Sequence, residues 1–193
     1  MNVNGSYNQS STGSLSGAGT LISNAIINSG TLSGSTTLVG NVTNEGTVSP
    51  GASPGILNIT GDYAQTAFGV LKIDIGGLTP GDDYDRLIIS GLASLAGELN
   101  VSMFGNFMPN NGNYFDILFA NDISGEFNKY DFPIFPSGFF NISYNLSPND
   151  LDFVRLTYVS TGPEPIPEPA TLLLLGSGLI GLAGYGRKKF FKN

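Results

Sequence analysis

The segments Gly30-Thr31-Leu32-Ser33 and Gly46-Thr47-Val48-Ser49 carry the same short pattern. A third copy, Gly13-Ser14-Leu15-Ser16, precedes them at nearly the same spacing. Each copy sets one apolar side chain in a polar background, which is too little apolar surface for a single unit to fold alone. Stacked units can share a continuous core, so the repeats predict a β-solenoid over residues 19–103.

The same repeats predict where the chain turns. Asn28-Ser29-Gly30 and Asn44-Glu45-Gly46 should lie at equivalent corners, because Asn and Gly both tolerate a positive φ. The alternative interpretation is a disordered, low-complexity segment. The register of the apolar positions favours the solenoid for residues 19–49. Residues 1–18, which have few apolar side chains, are interpreted as a flexible polar N-terminus.

The strands become more apolar after residue 55 and more aromatic after residue 103. Alternation of apolar and polar residues predicts strands at Ile56–Thr60, Val70–Ile75, Arg86–Ile89 and Glu98–Met103. Residues 104–160 are interpreted as an antiparallel β cap, with strands at 114–120, 139–145 and 151–159. The predicted fold is therefore mainly β: a right-handed parallel β-helix with a C-terminal antiparallel β cap, followed by a single C-terminal transmembrane helix.

The composition excludes several kinds of chemistry. The chain has no Cys and no His, which excludes disulfides, Cys-type metal sites and a Ser-His-Asp triad. Residues 1–162 hold four basic and 13 acidic residues, a net charge of −9. Such an acidic body repels phosphate backbones, so nucleic acid is not an expected partner. No cofactor is expected.

The densest acidic cluster is Asp82, Asp83 and Asp85. It supplies some of the oxygens that a Ca²⁺ site needs but lacks the 12-residue pattern that ends in Glu. A solvated turn after Pro80-Gly81 is the favoured interpretation, so no metal is predicted. Paired carboxylates could also serve glycoside hydrolysis. Thirteen acids in a β body always offer some pair, however, and the protein is predicted not to be an enzyme.

The C-terminal region has three zones with different chemistry. A Pro-rich linker, 161–169, precedes an uncharged run, 170–186, which as a helix would cover about 25 Å. This length is near the lower limit for a membrane span. A cytoplasmic basic tail, 187–193, is predicted to stop the span. A buried helix of a soluble domain is the alternative. The basic residues of the tail are Arg187, Lys188, Lys189 and Lys192.

The end of the chain resembles a known sorting signal. Pro167-Glu168-Pro169-Ala170-Thr171, the Leu- and Gly-rich run and Gly184-Tyr185-Gly186-Arg187-Lys188-Lys189 are similar to the PEP-CTERM signal. The resemblance implies export in a Gram-negative-type bacterium and removal of the tail by an exosortase, an integral membrane enzyme. The body would first be periplasmic and then reach the cell surface or the exterior. The implied partners are the exosortase, the inner membrane and, among cells that make it, exopolysaccharide.

A second resemblance concerns the body. Residues 44–51, Tyr84-Asp85-Arg86-Leu87 and Leu95-Ala96-Gly97-Glu98-Leu99 resemble autotransporter-type β-helix passenger repeats, over about residues 28–104. An N-terminal secretion signal is expected upstream, because residues 1–6 have neither a basic nor an apolar region. The predicted function is an exported, surface-associated, non-enzymatic protein of the polysaccharide matrix. The alternative is a secreted carbohydrate-binding module or carbohydrate-active enzyme with the same tail.

Overall fold

The computed structural model describes residues 1–51 and 54–162. Residues Met1–Ser160 form one compact unit. In the described part of the chain the secondary structure consists of short β-strands joined by turns rich in Gly, Asn and Ser. The strands are β1 (Ser6–Gln9), β2 (Ser14–Leu15), β3 (Gly19–Asn28), β4 (Thr31–Gly34), β5 (Thr36–Asn44), β6 (Thr47–Pro50), β7 (Ile56–Thr60), β8 (Tyr63–Gln65), β9 (Val70–Ile75), β10 (Arg86–Ile89), β11 (Leu92–Leu95), β12 (Glu98–Met103), β13 (Tyr114–Ala120), β14 (Asp122–Gly125), β15 (Lys129–Asp131), β16 (Gly138–Asn145) and β17 (Asp152–Ser160).

The chain alternates between two sheets. The smaller sheet has six strands in the order β15-β12-β9-β6-β4-β2, and its neighbouring strands are all parallel. The larger sheet has 11 strands: the path β14-β11-β8-β5-β7-β10-β13-β17-β16, with β3 paired to β5 and β1 paired to β3. Successive passes of the chain therefore lie side by side in both sheets.

The core lies between the two sheets and is built from residues that share a register position. In the smaller sheet, Leu32, Val48, Leu71 and Leu99 lie in one row across successive strands, each at most 1% exposed. A buried side chain of this size contributes about 1.5–3 kcal/mol. The row is the physical basis of the repeat seen in the sequence, since each pass adds one apolar side chain to it.

The prediction of a right-handed parallel β-helix closed by a separate antiparallel cap is wrong. β16 and β17 form an antiparallel pair, and β17 is also antiparallel to β13, whose other neighbour β10 is parallel. The larger sheet is therefore mixed and curves as a half-barrel. The aromatic side chains of the hairpin explain the difference. Phe140 and Tyr158 pack into the same core as Phe115 of β13, so the antiparallel strands extend the sheet instead of capping it.

The predicted membrane segment is not part of the described structure. Within residues 1–51 and 54–162, no helix has the length and apolarity needed to cross a membrane. The predicted span, 170–186, and the basic tail, 187–193, lie outside the described residues. The predicted C-terminal transmembrane helix therefore has no counterpart in the described fold.

Other local predictions are confirmed by the strand boundaries. The four strands predicted after residue 55 are β7, β9, β10 and β12, with the predicted limits.

The N-terminus differs from its prediction, because residues 1–18 contain β1 and β2. β1 pairs in parallel with β3, so that Gln9 lies beside Asn28. This N-terminal segment therefore belongs to both sheets.

The two predicted corners lie at the same place in the stack, but for a different reason. Asn28 and Asn44 are register partners at the ends of β3 and β5. Neither Gly30 nor Gly46 has a φ in the left-handed region. A Cβ atom on Gly46 would instead collide with the backbone of Gly30, and one on Gly30 with the backbone of Gly13. Glycine is needed here because the stacked backbones approach closely.

The asparagines of these corners point inward and form part of a buried row that we call the amide ladder: Gln9, Asn28, Asn44 and Gln65. Asn28 Nδ2 donates to Asn44 Oδ1 over 2.8 Å. Each asparagine also accepts the N–H of the glycine two residues on, at 3.1 and 3.2 Å. The ladder stabilises the corners because it supplies hydrogen-bond acceptors to backbone N–H groups of the turns that water does not reach.

Candidate functional site

The residues with the most specific predicted role lie outside the described part of the chain. These are the sorting segment Pro167, Glu168, Pro169, Ala170 and Thr171, and the basic residues Arg187, Lys188, Lys189 and Lys192. Their roles remain predictions from the sequence. The described structure is informative about the body that this tail would deliver.

The three aspartates of the Ca²⁺ candidate have separate environments. Asp82 is exposed, whereas Asp83 accepts the N–H of Thr79 over 3.0 Å within the turn. That backbone hydrogen bond lowers the pKa of Asp83, which is therefore ionised and fixes the turn. Asp85 is buried and accepts hydrogen bonds from the backbone of Gly55 and Asp74 instead. Among residues 1–51 and 54–162, no group of three or more acidic side chains is placed to hold a metal ion.

Asp85 joins three segments of backbone. Its Oδ1 atom accepts the N–H of Gly55 over 2.7 Å, and its Oδ2 atom accepts the N–H of Asp74 over 2.9 Å. Burial raises the pKa of Asp85 to about 7, although the two backbone hydrogen bonds act in the opposite direction. Asp85 therefore ties the start of β7 and the end of β9 to the residue before β10.

Several other carboxylates also serve the fold. Asp152 is buried and accepts the N–H groups of Ile123 and Ser147, over 2.8 and 2.7 Å. It thereby joins β14, the β16–β17 connection and β17. Glu98 pairs with Lys129 across β12 and β15 at 2.7 Å. Asp152 and Glu98 therefore hold neighbouring segments of the fold together.

A groove on the outside of the larger sheet brings together apolar, aromatic, basic and acidic side chains. Its volume is about 390 Å³. The loop between β9 and β10 contributes Leu78, Pro80 and Tyr84, and β10 contributes Arg86. Gly76 donates its N–H to the carbonyl of Asp83 over 2.7 Å. The loop is therefore held by backbone hydrogen bonds.

The opposite side of this groove comes from the start of β13. It is formed by Gly112 and Asn113 in the preceding turn, and by Tyr114 and Asp116 in the strand. Gly112 donates to the carbonyl of Tyr158 over 2.9 Å, which anchors the turn to β17. Both sides are fixed by backbone contacts, so the space between them is preformed. We refer to it as the Arg86 groove.

Arg86 is the main polar group in the groove. Its Nε atom donates to the carbonyl of Asp116 over 2.9 Å, and Nη2 donates to the Tyr84 hydroxyl over 2.7 Å. The guanidinium also lies 4.9 Å from the ring centroid of Phe119. In the described part of the chain, Arg86 is the one basic side chain that forms no ion pair; the paired ones are Lys72, Lys129 and Arg155.

Tyr114 and Asp116 are held in place by Arg155 on the adjacent strand. Arg155 donates from Nε and Nη2 to the two oxygens of Asp116, over 2.6 and 3.0 Å. Its guanidinium lies 4.0 Å from the ring centroid of Tyr114. A bulge between Asp116 and Leu118 buries Ile117 and Leu118 in succession and keeps Asp116 and the following Phe119 half-exposed. The negative charge of Asp116 is therefore balanced by Arg155.

Sequence reasoning missed both the groove and the role of the N-terminus. The groove unites two loops, near residues 80 and 112, that no local pattern links. The role of the N-terminus was, however, indicated by a sequence pattern that recurs later in the chain. Tyr7-x-Gln9 with Gly13 and Leu15 recurs as Tyr63-x-Gln65 with Gly69 and Leu71. In both copies the Tyr hydroxyl bonds the Gln side chain, and the Gln Nε2 atom donates over 3.1 Å to the carbonyl of the glycine.

Comparison with known proteins gives one finding about function. A family model described as the PEP-CTERM protein-sorting motif matches residues 165–188. The matched stretch contains Pro167-Glu168-Pro169, the apolar run, Arg187 and Lys188. No curated protein matches the chain. The resemblance of the body to autotransporter-type β-helix repeats is not confirmed. The chain therefore carries a PEP-CTERM sorting motif, the signal of an exported protein that an exosortase processes in the cell envelope.

Proposed function

We propose that this protein is an exported, surface-associated, non-enzymatic β protein that becomes part of the extracellular polysaccharide matrix. The observation that carries the proposal is the sorting motif at residues 165–188. A body that is sorted and then separated from its tail has its role outside the cell. The described residues therefore act as the cargo, and residues 163–193 act as the address.

The distribution of charge supports the proposed route. Four of the eight basic residues lie at the extreme C-terminus, directly after the uncharged run 170–186. Basic residues beside an apolar segment favour the cytoplasmic side of the inner membrane, so the acidic body would lie on the periplasmic side. In this proposal the C-terminus stays cytoplasmic until the exosortase acts, and the body then moves to the cell surface or the exterior.

The use of the titratable groups supports a non-enzymatic role. Asp85 and Asp152 accept backbone N–H groups from separate segments, and Asp116 is engaged by Arg155. The chain also has no His and no Cys, so its sequence lacks the imidazole base that is usual near neutral pH and any thiolate nucleophile. These carboxylates act as structural links between strands.

The outer faces of the sheets support the proposed matrix role. Thr20, Thr37 and Asn58 are register partners on the outer face of the larger sheet, and Thr31 and Thr47 are partners in the smaller one. These rows present uncharged hydroxyl and amide groups. Such groups exchange hydrogen bonds with sugar hydroxyls without the cost of desolvating a charge.

A secreted carbohydrate-binding module is the second candidate. The Arg86 groove favours it, because an aromatic ring and a planar cation lie beside a preformed space of about 390 Å³. In this candidate the same sorting tail delivers a body that recognises a specific glycan instead of packing into the matrix. The two candidates differ in whether the purified chain binds defined oligosaccharides with measurable stoichiometry.

The sorting motif is tested by changing Pro167-Glu168-Pro169 to alanines and fractionating the producing cells. The expected result is that the variant stays in the membrane fraction at full size, while the unchanged protein is shortened and released. The chain offers a control in Pro163 and Glu164, which belong to a neighbouring Pro-Glu-Pro segment but lie outside the matched residues 165–188. Alanines at these two positions should leave processing intact. Release of the 167–169 variant at the normal size would contradict the proposal.

A further inference from the structure

The Arg86 groove combines a cation, exposed apolar groups and a preformed space, and the proposed sorting route does not use them. We propose that it binds a carboxylate-bearing sugar unit, such as a uronic acid residue of an acidic polysaccharide. The inference rests on the proposed function in one respect, since it names the kind of glycan that the exported body would contact. Three features of the groove carry it: a free cation, an aromatic surface and a rigid frame.

The first feature is the unpaired cation. Only two of the five N–H donors of Arg86 are used in the described structure, by the carbonyl of Asp116 and the hydroxyl of Tyr84. Asp116 is itself neutralised by the bidentate contact with Arg155. The groove therefore has a local positive charge within a body whose net charge is −9 over residues 1–162. A planar guanidinium with free donors is suited to a carboxylate.

The second feature is the aromatic surface beside this cation. Tyr114 lines the groove and is 55% exposed, although Arg155 already stacks against its ring. Leu78, on the opposite side, is 53% exposed. Exposed apolar groups of this kind can cover the C–H face of a pyranose ring. A ligand that is apolar on one face and hydroxylated and anionic at its edge fits this combination, and a sugar acid has these properties.

The third feature is the rigidity of the frame. The turn before β10 is tied by the Asp83 carboxylate and by backbone hydrogen bonds, and the turn before β13 is tied to β17. Arg86 is stacked near Phe119 and Tyr84, with its guanidinium 4.9 and 5.5 Å from their ring centroids. A site held in this way loses little conformational freedom on binding.

Charge complementarity distinguishes the acidic sugar from a neutral one. A neutral sugar could use the ring of Tyr114 but would leave the donors of Arg86 without an anionic partner. An acidic sugar satisfies both groups, and its binding should weaken as salt screens the charges. An acidic peptide could pair with Arg86 but has no pyranose face for the apolar side of the groove. The observations therefore favour the sugar acid.

The test is calorimetric titration of the purified full chain, kept in a detergent without a sugar headgroup. The probes are a linear tetramer of galacturonic acid, the matching tetramer of galactose and a tetramer of glutamate. Saturable binding of the acidic sugar alone, weakened at high salt, is the expected result. Absence of binding, or equal affinity for the galactose tetramer or the glutamate tetramer, would overturn the proposal.

Two pairs of variants locate the site. Arg86→Gln should weaken binding of the acidic tetramer at least tenfold, whereas Lys129→Gln, which changes the net charge equally on an exposed residue, should not. Tyr114→Ala should weaken it about tenfold, whereas Phe68→Ala, at a side chain that is 84% exposed, should not. If Arg86→Gln fails to fold, the surface pair at Tyr114 and Phe68 decides alone.

Unchanged binding in the groove variants, or an equal loss in the controls, would place the ligand elsewhere and refute the site. The titration uses purified chain, and the sorting experiment uses cell fractions. If the groove does not bind the acidic sugar, the result of the sorting experiment is unaffected. If the tail is not processed, the titration can still be interpreted.

Discussion

The two halves of the body are held together in different ways. Up to β9 the passes in the smaller sheet are short, as between the register partners Thr31 and Thr47, and the interior corner is filled by the amide ladder. From β9 onward the passes are longer, as between the partners Glu98 and Lys129, and aromatic rings fill the interior. The ring of Phe115 meets two other buried rings edge to face, at centroid distances of 5.4 and 5.8 Å.

This difference shows how the number of residues in each pass of the chain determines which side chains fill the core. A short pass has little room, so its buried corner uses small amides that also satisfy the turn backbone. A longer pass encloses more volume, which large rings fill efficiently. Tyr63 lies between the two regimes: its hydroxyl accepts from Asn44 and donates to Gln65 within the ladder, and its burial raises its pKa. The halves should therefore respond differently to substitution.

The largest effect is expected in the aromatic half. Phe115→Ala should lower the free energy of unfolding by about 4 kcal/mol, because it removes a fully buried ring and leaves a cavity. Phe115→Leu should cost only about 1–2 kcal/mol, because apolar volume is partly replaced. Urea unfolding of the full chain measures both values. Equal losses for Ala and Leu would show that ring geometry, not volume, stabilises this half.

The next largest effect is expected in the amide ladder. Here, unlike at Phe115, an apolar replacement should not preserve stability. Asn44→Ala should cost about 3 kcal/mol, because Gly46 N–H and the Asn28 amide lose a partner in a buried site. Asn44→Leu should not recover stability, since no apolar side chain replaces these hydrogen bonds. Asn41→Ala on the same strand is the exposed control and should cost about 1 kcal/mol, because it loses one exposed hydrogen bond. Recovery by Leu in urea unfolding would abolish the contrast between the halves.

The pH dependence of stability tests the link between the halves, Asp85. Its pKa is raised to about 7, so the folded chain keeps a proton that the unfolded chain releases near pH 4. Stability should therefore fall by about 2 kcal/mol between pH 5 and 7 through this group and become level above about pH 8. Asp85→Asn removes this dependence, and the difference between the two proteins isolates it. Parallel curves for both proteins would contradict the assignment.

The smallest effect is expected at the outer face. A double-mutant cycle with Arg155→Gln and Asp116→Asn should give a coupling of about 1 kcal/mol, because the pair is bidentate but partly exposed. Salt should reduce this coupling, whereas it should leave the cost of Asn44→Ala unchanged. A coupling that does not respond to salt would mean that packing of Arg155 against Tyr114 is the stabilising contact.

The local parts of the fold could be predicted from the sequence, since they depend on short patterns. Alternation located Ile56–Thr60 and Val70–Ile75, and the repeat located the corners at Asn28 and Asn44. The physical reason for the corners could not be seen, because the approach of Gly46 to Gly30 is a property of the stacked backbones.

The mixed sheet and the Arg86 groove depend on contacts between distant residues. Asp116 pairs with Arg155 from far along the chain, and this pairing is antiparallel, as predicted for residues 104–160. No local pattern showed that β13 would also pair with β10 and so join these strands to the larger sheet. Similarly, Leu78 and Tyr114 share a groove only because β10 and β13 are neighbours in the sheet. The sorting motif could be predicted because its signal is contained in consecutive residues.

The most direct test of the central claim, export through a processed sorting tail, is the intact mass of the protein released by the producing cells. The account predicts a single released form that lacks the apolar run and the basic residues Arg187, Lys188, Lys189 and Lys192. A released or surface form whose mass still includes residues 170–193 would contradict it.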